Sequence, residues 1–147
     1  MMTVLTAFKQ VDLFRGLTDE QLLHIEALAT REAHTANSLI VNQGDAADKV
    51  YIIAAGQVEV SYRTSSGEDI SVLFLGEGQV FGEMTLVDDG RRSASVIALA
   101  DGTVVYSIDN TVLGTLCAEN TGIGYIIMRN IAQDLSFKLR HRDFDTT

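Results

Sequence analysis

The chain has few cations, one cysteine, no tryptophan and no proline. It has 11 Lys and Arg residues and 20 Asp and Glu residues, so the formal net charge is -9. A protein that binds duplex DNA needs a basic surface to displace counterions from phosphates, and this composition argues against that class. The single cysteine, Cys117, cannot form an internal disulfide, which favours a reducing compartment. Without proline, glycine must make the turns.

Long apolar runs are missing as well. No stretch approaches the roughly 20 apolar residues that a membrane helix requires. The first residues, 1–14, lack a basic start and are interrupted by Lys9, Gln10 and Asp12, so they are not typical of a signal peptide. A length of 147 residues with 46% hydrophobic content predicts a single domain, 1–147. Because signal-peptide and membrane patterns are missing and the charge is acidic, we expect this domain to be cytoplasmic and to contact neither membranes nor nucleic acid.

The main exception to the acidic pattern lies near the C-terminus. Four cationic or titratable side chains cluster there: Lys138, Arg140, His141 and Arg142. They are interpreted either as favourable charges at the C-terminal end of a helix or as a tail that binds a phosphate or a partner.

Hydrophobic periodicity divides the chain into three zones. Residues 1–35 are predicted to be a helical segment, in which Thr18 caps a helix and Gln21 stands at the capping-box position. Residues 38–109 contain short runs rich in Val, Ile, Tyr and Phe, separated by glycine-bearing turns. This pattern predicts six or more short strands in a sandwich or barrel. Residues 110–142 are predicted to be helical again.

The C-terminal zone contains two predicted helices. Asn110 or Thr111 is expected to cap the first helix, which runs through Cys117, and Asn120 or Thr121 is expected to start the second, longer one. Apolar residues recur every four positions along the longer helix, at Ile123, Ile127, Ile131 and Leu135. Two interpretations of this stripe stay open: it packs on the β-structure, or it pairs with a second copy of the chain.

The strand pattern is interrupted between residues 81 and 95. Gly82 permits a positive φ and a close backbone approach, and residues 83–86 are predicted to form one helical turn whose free N–H groups suit a phosphate. Arg92 follows on the return and can grip the same phosphate with a forked pair of hydrogen bonds. The Glu83 carboxylate suits a sugar hydroxyl. The segment therefore predicts a site for a nucleotide with one exposed phosphate.

This segment resembles the phosphate-binding cassette of the cyclic nucleotide-binding domain, the β-roll of catabolite activator proteins and of regulatory subunits of cAMP-dependent protein kinase. The matching positions are Phe81, Gly82, Glu83, Met84, Thr85, Leu86, Arg92, Ser93 and Ala94. Turn glycines at Gly44 and Gly56 match too, and the resemblance covers roughly residues 5–142. It implies a mainly β fold with flanking helices, a double-stranded β-helix or jelly-roll-like β-roll with N-terminal helices and a long C-terminal helix.

The resemblance also implies a role for each site residue. Arg92 pairs with the cyclic phosphate, and Glu83 accepts a hydrogen bond from the ribose 2′-hydroxyl. The implied ligand-binding set is Gly82, Glu83, Met84, Arg92, Ser93 and Ala94. The apolar wall around the base is expected at Val72, Phe74 and Leu75, and the candidates for a base cap on the C-terminal helix are Phe137, Lys138 and Arg142.

The chain departs from the family pattern at the residue before the cassette arginine. Many members have proline there, and this chain has Arg91, which either loosens the turn or adds a second cation beside the pocket. Some members place threonine after the arginine, a position linked to cGMP preference. Ser93 stands at that position here, so the expected ligand is cAMP rather than cGMP.

A silent scaffold is the alternative to a binding module. In that interpretation Arg92 pairs with Asp88 or Asp89, and Glu83 only complements the helix dipole. The roll would then have lost ligand binding and would act as a structural or interaction module.

Catalytic and metal-binding patterns are missing from the sequence. Neither a Gly-x-Ser-x-Gly elbow nor a Walker-type Gly-Lys-Ser/Thr occurs, and His24 and His34 have no clustered partners. We therefore expect no enzyme, no metal and no cofactor beyond the nucleotide ligand. In family transcription factors a helix-turn-helix domain follows the long helix, whereas this sequence ends at Thr147. We expect a signal that leaves through the C-terminal helix to an unidentified effector protein.

Overall fold

The computed structural model describes residues 3–88 and 90–145, with side chains as far as residue 141. The strands in these residues are β1 (Thr30–His34), β2 (Leu39–Val41), β3 (Lys49–Ala55), β4 (Gln57–Arg63), β5 (Asp69–Gly76), β6 (Val80–Phe81), β7 (Ser95–Ala98) and β8 (Thr103–Asp109). The helices are α1 (Val4–Lys9), α2 (Asp19–Glu26), α3 (Asn110–Glu119) and α4 (Thr121–Asp145), and 3₁₀ turns cover Asp12–Phe14 and Glu83–Leu86.

The strands form two four-stranded antiparallel sheets. Their strand orders are β1-β8-β3-β6 and β2-β7-β4-β5. One apolar cluster lies between the sheets and takes side chains from both of them: Val41, Tyr51, Ile53, Val58, Phe81, Val96 and Val105. The predicted fold class is confirmed, because the short helices precede this β-roll and the long helix α4 follows it.

Strand β3 is buried on both of its faces. Tyr51 and Ile53 face the second sheet, whereas Val50 and Ile52 join a second apolar cluster that contains the helices. Successive side chains of a strand point to opposite faces, so a strand covered on both sides needs a continuous apolar run. This explains the sequence Val-Tyr-Ile-Ile at positions 50–53.

The apolar stripe of α4 packs on the roll. Three of its residues belong to the helix-containing cluster: Ile123 (0% exposed), Ile127 (0%) and Ile131 (4%). Leu135 packs against that cluster. The Asn130 side-chain amide donates to the carbonyl oxygens of Leu13 at 2.8 Å and Arg15 at 3.0 Å, which ties α4 to the N-terminal segment. Neither α4 nor any other helix of the described residues combines the length and the apolar character needed to cross a membrane.

The predicted boundary between the helical segment and the roll is wrong. The capping box of Thr18 and Gln21 is present, but residues 30–34 form β1 instead of continuing a helical segment to residue 35. Strand β1 pairs with β8 along its whole length, from Thr30 opposite Ser107 to His34 opposite Thr103. It is an edge strand with few apolar residues, so no alternating pattern marks it in the sequence.

The N-terminal ends of α3 and α4 are capped by different residues. Asp109, not Asn110 or Thr111, caps α3, because its carboxylate accepts from the N–H groups of Thr111 at 2.9 Å and Val112 at 3.2 Å. At the start of α4, Asn120 accepts from the N–H of Ile123 at 3.3 Å. The prediction at the second helix is therefore confirmed, and the one at the first is corrected by one residue.

Candidate functional site

The site is built on the turn that follows β6. Gly82 has φ 80° and ψ 8°, in the left-handed region, and it leads into the 3₁₀ turn Glu83–Leu86. The N–H of Thr85 bonds to the Gly82 carbonyl at 3.2 Å. The first N–H groups of such a turn have no carbonyl partner within it. The predicted single turn is present, and we call Gly82 to Leu86 the cassette turn.

The return segment 90–94 is held against the loop at 44–47. The backbone N–H of Arg92 donates to the Asp45 carbonyl at 2.7 Å, and the Arg92 carbonyl accepts from the Gly44 N–H at 2.9 Å. A further bond of 3.0 Å runs from the Ala47 N–H to the Gly90 carbonyl. These backbone bonds fix the position from which the Arg92 side chain extends.

The Arg92 guanidinium is buried against Gly82 and the start of β3. The residue is only 9% exposed, and its Nη2 donates to the Lys49 carbonyl at 2.9 Å. The Asp48 carboxylate lies 3.9 Å away and is itself 67% exposed. The guanidinium also lies 5.6 Å from the centroid of the Tyr51 ring, a cation–π distance.

The electrostatic balance around Arg92 leaves room for an anion. A buried cation is stable only when it is paired and hydrogen-bonded, and a guanidinium has five N–H donors. One carbonyl and one distant, solvated carboxylate satisfy a small part of that capacity. Among the described residues, Asp88 forms no ion pair with Arg92, and Asp89 lies outside them. The alternative pairing of Arg92 with Asp88 is therefore wrong.

A cavity of about 260 Å³ opens between the cassette turn and the return segment. It brings together five of the six predicted ligand-binding residues: Gly82, Met84, Arg92, Ser93 and Ala94. Apolar side chains of the sheet β2-β7-β4-β5 complete the lining, among them Val41, Val60 and Val96. We call this space the cassette cavity. Sequence reasoning missed the three valines, although the alternation Val58-Glu59-Val60 marks Val60 as inward-facing.

Glu83 lines a second cavity instead. This space of about 550 Å³ lies between the roll and α4, and we call it the helix cavity. Phe137 and Lys138 of α4 line it together with Glu83, and Met84 lines both cavities. The structure thus brings two of the predicted base-cap residues to the predicted ribose-binding carboxylate. The third, Arg142, has a side chain outside the described residues.

Burial dominates the ionisation of Glu83. It raises the pKa of this carboxyl above its ordinary value of 4.5, while the Glu83 backbone N–H and the Lys138 ammonium act in the opposite direction. The Asp134 carboxylate, which holds Lys138 at 2.9 Å, adds to the rise. Glu83 is therefore coupled electrostatically to two charged side chains of α4.

Only one of the three predicted base-wall residues of β5, Leu75, lines a cavity. Val72 and Phe74 are 50% and 54% exposed, and neither lines the cassette cavity or the helix cavity. Leu75 lies opposite the buried Val58, so Phe74 points to the other face of the sheet. Leu73 and Leu75 line the helix cavity. The β5 residues that line a cavity are therefore Leu73 and Leu75, which the alternation of the strand places on one face, and not Val72 and Phe74.

Comparison with known proteins agrees with this geometry. The family model of the cyclic nucleotide-binding domain matches residues 31–120, more than half of the chain. The chain belongs to the cyclic nucleotide-binding domain family and is a regulatory domain of that type.

Relatives of this domain occur in proteins of different overall design. The chain is 29% identical to the cyclic AMP receptor protein of Thermus thermophilus over 133 residues, which is 90% of this chain and 59% of that protein. It is 30% identical to cGMP-dependent protein kinase, isozyme 1, of Drosophila melanogaster over 115 residues, 74% of this chain and 15% of the kinase. The crystal structure of the Thermus thermophilus catabolite activator protein superposes with a TM-score of 0.80 at 29% identity, covering 92% of this chain and 61% of that one.

Proposed function

We propose that this chain is a non-catalytic regulatory module that binds a 3′,5′-cyclic nucleotide, with cAMP preferred over cGMP. The observation that supports it is Arg92, a buried guanidinium on the wall of the cassette cavity whose one ion-pair partner among the described residues, the exposed Asp48 carboxylate, lies 3.9 Å away. A cyclic phosphodiester carries one negative charge and two free oxygens, so it matches the unsatisfied donors of one guanidinium.

The proposed ligand spans the two cavities across Met84. Its phosphate lies in the cassette cavity against Arg92, with the backbone of Gly82 and Met84 and of Ser93 and Ala94 around it. Its ribose reaches Glu83, whose carboxylate accepts from the 2′-hydroxyl. The base enters the helix cavity, where Leu73 and Leu75 form one wall and Phe137 and Lys138 cover the other side.

The preference for cAMP rests on Ser93. The resemblance to the family links threonine at this position to cGMP, and the shorter serine here stands exposed at the cassette cavity. The relatives include one protein named for cyclic AMP and one named for cGMP. The choice between cAMP and cGMP must therefore come from the side chains of this chain.

The proposed signal leaves through α4. A base bound against Phe137 and Lys138 favours the arrangement in which α4 covers the helix cavity, and a ligand shifts the population toward the state that it binds better. The roll and its flanking helices then act as one unit. The effector protein that receives this signal is one that recognises the position of α4.

A homodimer through α4 is part of the same proposal. The stripe with Ile123 and Ile127 is used inside the domain, but another face of α4 stays exposed, with Tyr125 at 67%, Met128 at 36% and Leu139 at 62%. Together with Ala132, these positions follow steps of three, four and seven residues, the spacing of a coiled-coil seam. Two copies related by a two-fold axis can bury this face against each other.

Calorimetric titration with cAMP and cGMP tests the binding function. We expect wild-type protein to bind cAMP more tightly than cGMP, and Arg92→Leu to weaken binding by at least roughly 30-fold, since it removes a buried charge partner. Arg63→Leu is the matched control, because Arg63 is exposed and lines neither cavity. Wild-type protein that gives no heat and no thermal shift at millimolar nucleotide would support the silent scaffold instead.

A further inference from the structure

A second arginine, Arg91, lines the same cavity as Arg92. Unlike Arg92 it is exposed, and its Nη1 donates to the Gly44 carbonyl at 2.9 Å. Within the described part of the chain, the ion pairs leave Arg91 without a carboxylate partner. Most of its five N–H donors therefore stay available to another group.

Arg91 does not loosen the turn in which it replaces the usual proline. Its backbone forms a β-bridge with Ala46, and the neighbouring Gly90 and Arg92 are both hydrogen-bonded to the loop at 44–47. The bond to the Gly44 carbonyl holds the Arg91 side chain in addition. Arg91 is thus presented to the cavity from a held position, which lowers the entropy lost when it contacts a ligand.

The charges on the cavity wall explain why a second cation matters. Among the described residues that line the cassette cavity, Arg91 and Arg92 are positive and Asp88 is negative. Without Arg91, the Asp88 charge would offset Arg92 and the wall would be close to neutral. With Arg91, the described lining residues carry one net positive charge in a protein whose net charge is -9, and the exposed Asp48 near Arg92 lies outside this lining.

We propose that Arg91 is a second phosphate-binding residue, whose charge offsets that of Asp88 on the cavity wall and supplies the net positive charge that attracts a monoanionic cyclic phosphodiester. This inference rests on the proposed nucleotide binding and adds a residue to it. Arg92 makes the buried contact, and Arg91 acts from the solvent side of the cavity, where its interaction is weakened by salt.

Titration of cAMP into wild-type protein, Arg91→Gln, Arg91→Lys and Arg31→Gln at low and high salt tests the proposal. Arg31→Gln is the matched control because it removes the same charge from a residue that is exposed on β1 and lines neither cavity. We expect Arg91→Gln to weaken binding roughly three- to tenfold at low salt, with a smaller loss at high salt. Arg91→Lys and Arg31→Gln should stay within about twofold of wild type.

The outcomes separate this inference from the function on which it rests. Wild-type protein that binds no cyclic nucleotide overturns both. Wild-type protein that binds cAMP, together with Arg91→Gln of equal affinity and equal salt dependence, overturns the role of Arg91 alone. An Arg91→Lys variant as weak as Arg91→Gln also overturns it, since the charge would then not be the cause. Unchanged thermal stability of Arg91→Gln without ligand shows that its lost affinity does not come from unfolding.

Discussion

The backbone of Gly82 lies directly against the guanidinium of Arg92. A Cβ atom at position 82 would stand 2.6 Å from the Arg92 Nη1 and 2.7 Å from the Lys49 carbonyl oxygen. Both distances are far shorter than a carbon contact allows. The guanidinium and its carbonyl acceptor therefore occupy the space that a side chain at position 82 would need. The glycine of the cassette turn thus fixes where the buried cation lies.

Gly82→Ala is expected to lower stability and to displace Arg92. The positive φ of 80° costs roughly 1–2 kcal/mol for alanine, and the contact with the Lys49 backbone adds roughly 1–3 kcal/mol of overpacking. Gly67→Ala is the control, because Gly67 has φ +89° and nothing within 4 Å. Urea unfolding should therefore show a larger loss for Gly82→Ala than for Gly67→Ala, and equal losses would contradict the close contact.

Glu83→Gln is expected to change how stability depends on pH. Burial raises the folded-state pKa of this carboxyl above 4.5, so the folded protein holds the proton more tightly than the unfolded chain does. As pH rises from about 4.5 through the folded-state pKa, the free energy of unfolding of wild-type protein falls relative to Glu83→Gln, which does not titrate. Denaturation of both proteins across this range measures the difference. A constant difference would show that Glu83 titrates normally.

The same carboxyl predicts a pH-dependent affinity. If the ionised form accepts the ribose hydroxyl, wild-type affinity for cAMP should rise with pH through the folded-state pKa, while that of Glu83→Gln should not follow this rise. Calorimetric titration of both proteins at several pH values tests this. Parallel pH profiles would place the ribose away from Glu83.

Gly124→Ala is expected to separate α3 from α4. A Cβ atom at position 124 would overlap the carbonyl oxygen of Cys117 and lie 3.1 Å from the Cys117 Cβ. Overpacking of this kind costs roughly 1–3 kcal/mol. Gly114→Ala is the matched control on α3, where nothing lies within 4 Å, and it should stabilise the helix by about 1 kcal/mol. Unfolding curves that rank the two variants in the opposite order would refute this packing.

Leu139→Glu is expected to disrupt the proposed dimer. The substitution places a charge on an apolar face of α4 in an already acidic protein, so two copies would repel each other there. Light scattering after size exclusion should give about twice the monomer mass of 16.0 kDa for wild type and the monomer mass for the variant. Leu23→Glu on α2 changes an equally apolar, 52% exposed residue away from this face and should stay dimeric. A monomeric wild type would end the proposal.

The sequence predicted the elements whose cause is local. The capping box of Thr18 and Gln21 depends on residues three positions apart, and the 3₁₀ turn after Gly82 depends on one glycine and the residues next to it. The order of helices, strands and final helix also followed from periodicity and from the resemblance of residues 81–94 to a known cassette. Strand β1 escaped prediction because an edge strand of polar residues has no pattern apart from its pairing with β8.

The direction of side chains was harder to predict than the identity of the elements. On β5 the choice between Phe74 and its neighbours Leu73 and Leu75 depends on the face of the strand that meets the core. A shift of one residue exchanges the two faces, and the pairing with β4 contains an irregularity between Val60 and Ser61. No property of the isolated strand sets this register.

The sequence by itself determined that an acidic, proline-free β-roll presents one glycine, one glutamate and two arginines at a break in its strands. Tertiary structure decided how these groups are shared between two cavities, with Arg92 buried under Gly82 and Glu83 turned toward α4. It also decided that Ile123, Ile127 and Ile131 pack in the core of the domain, which leaves another face of α4 exposed. The reason is physical: chain order sets which groups are available, whereas burial and pairing between distant segments set where each group points.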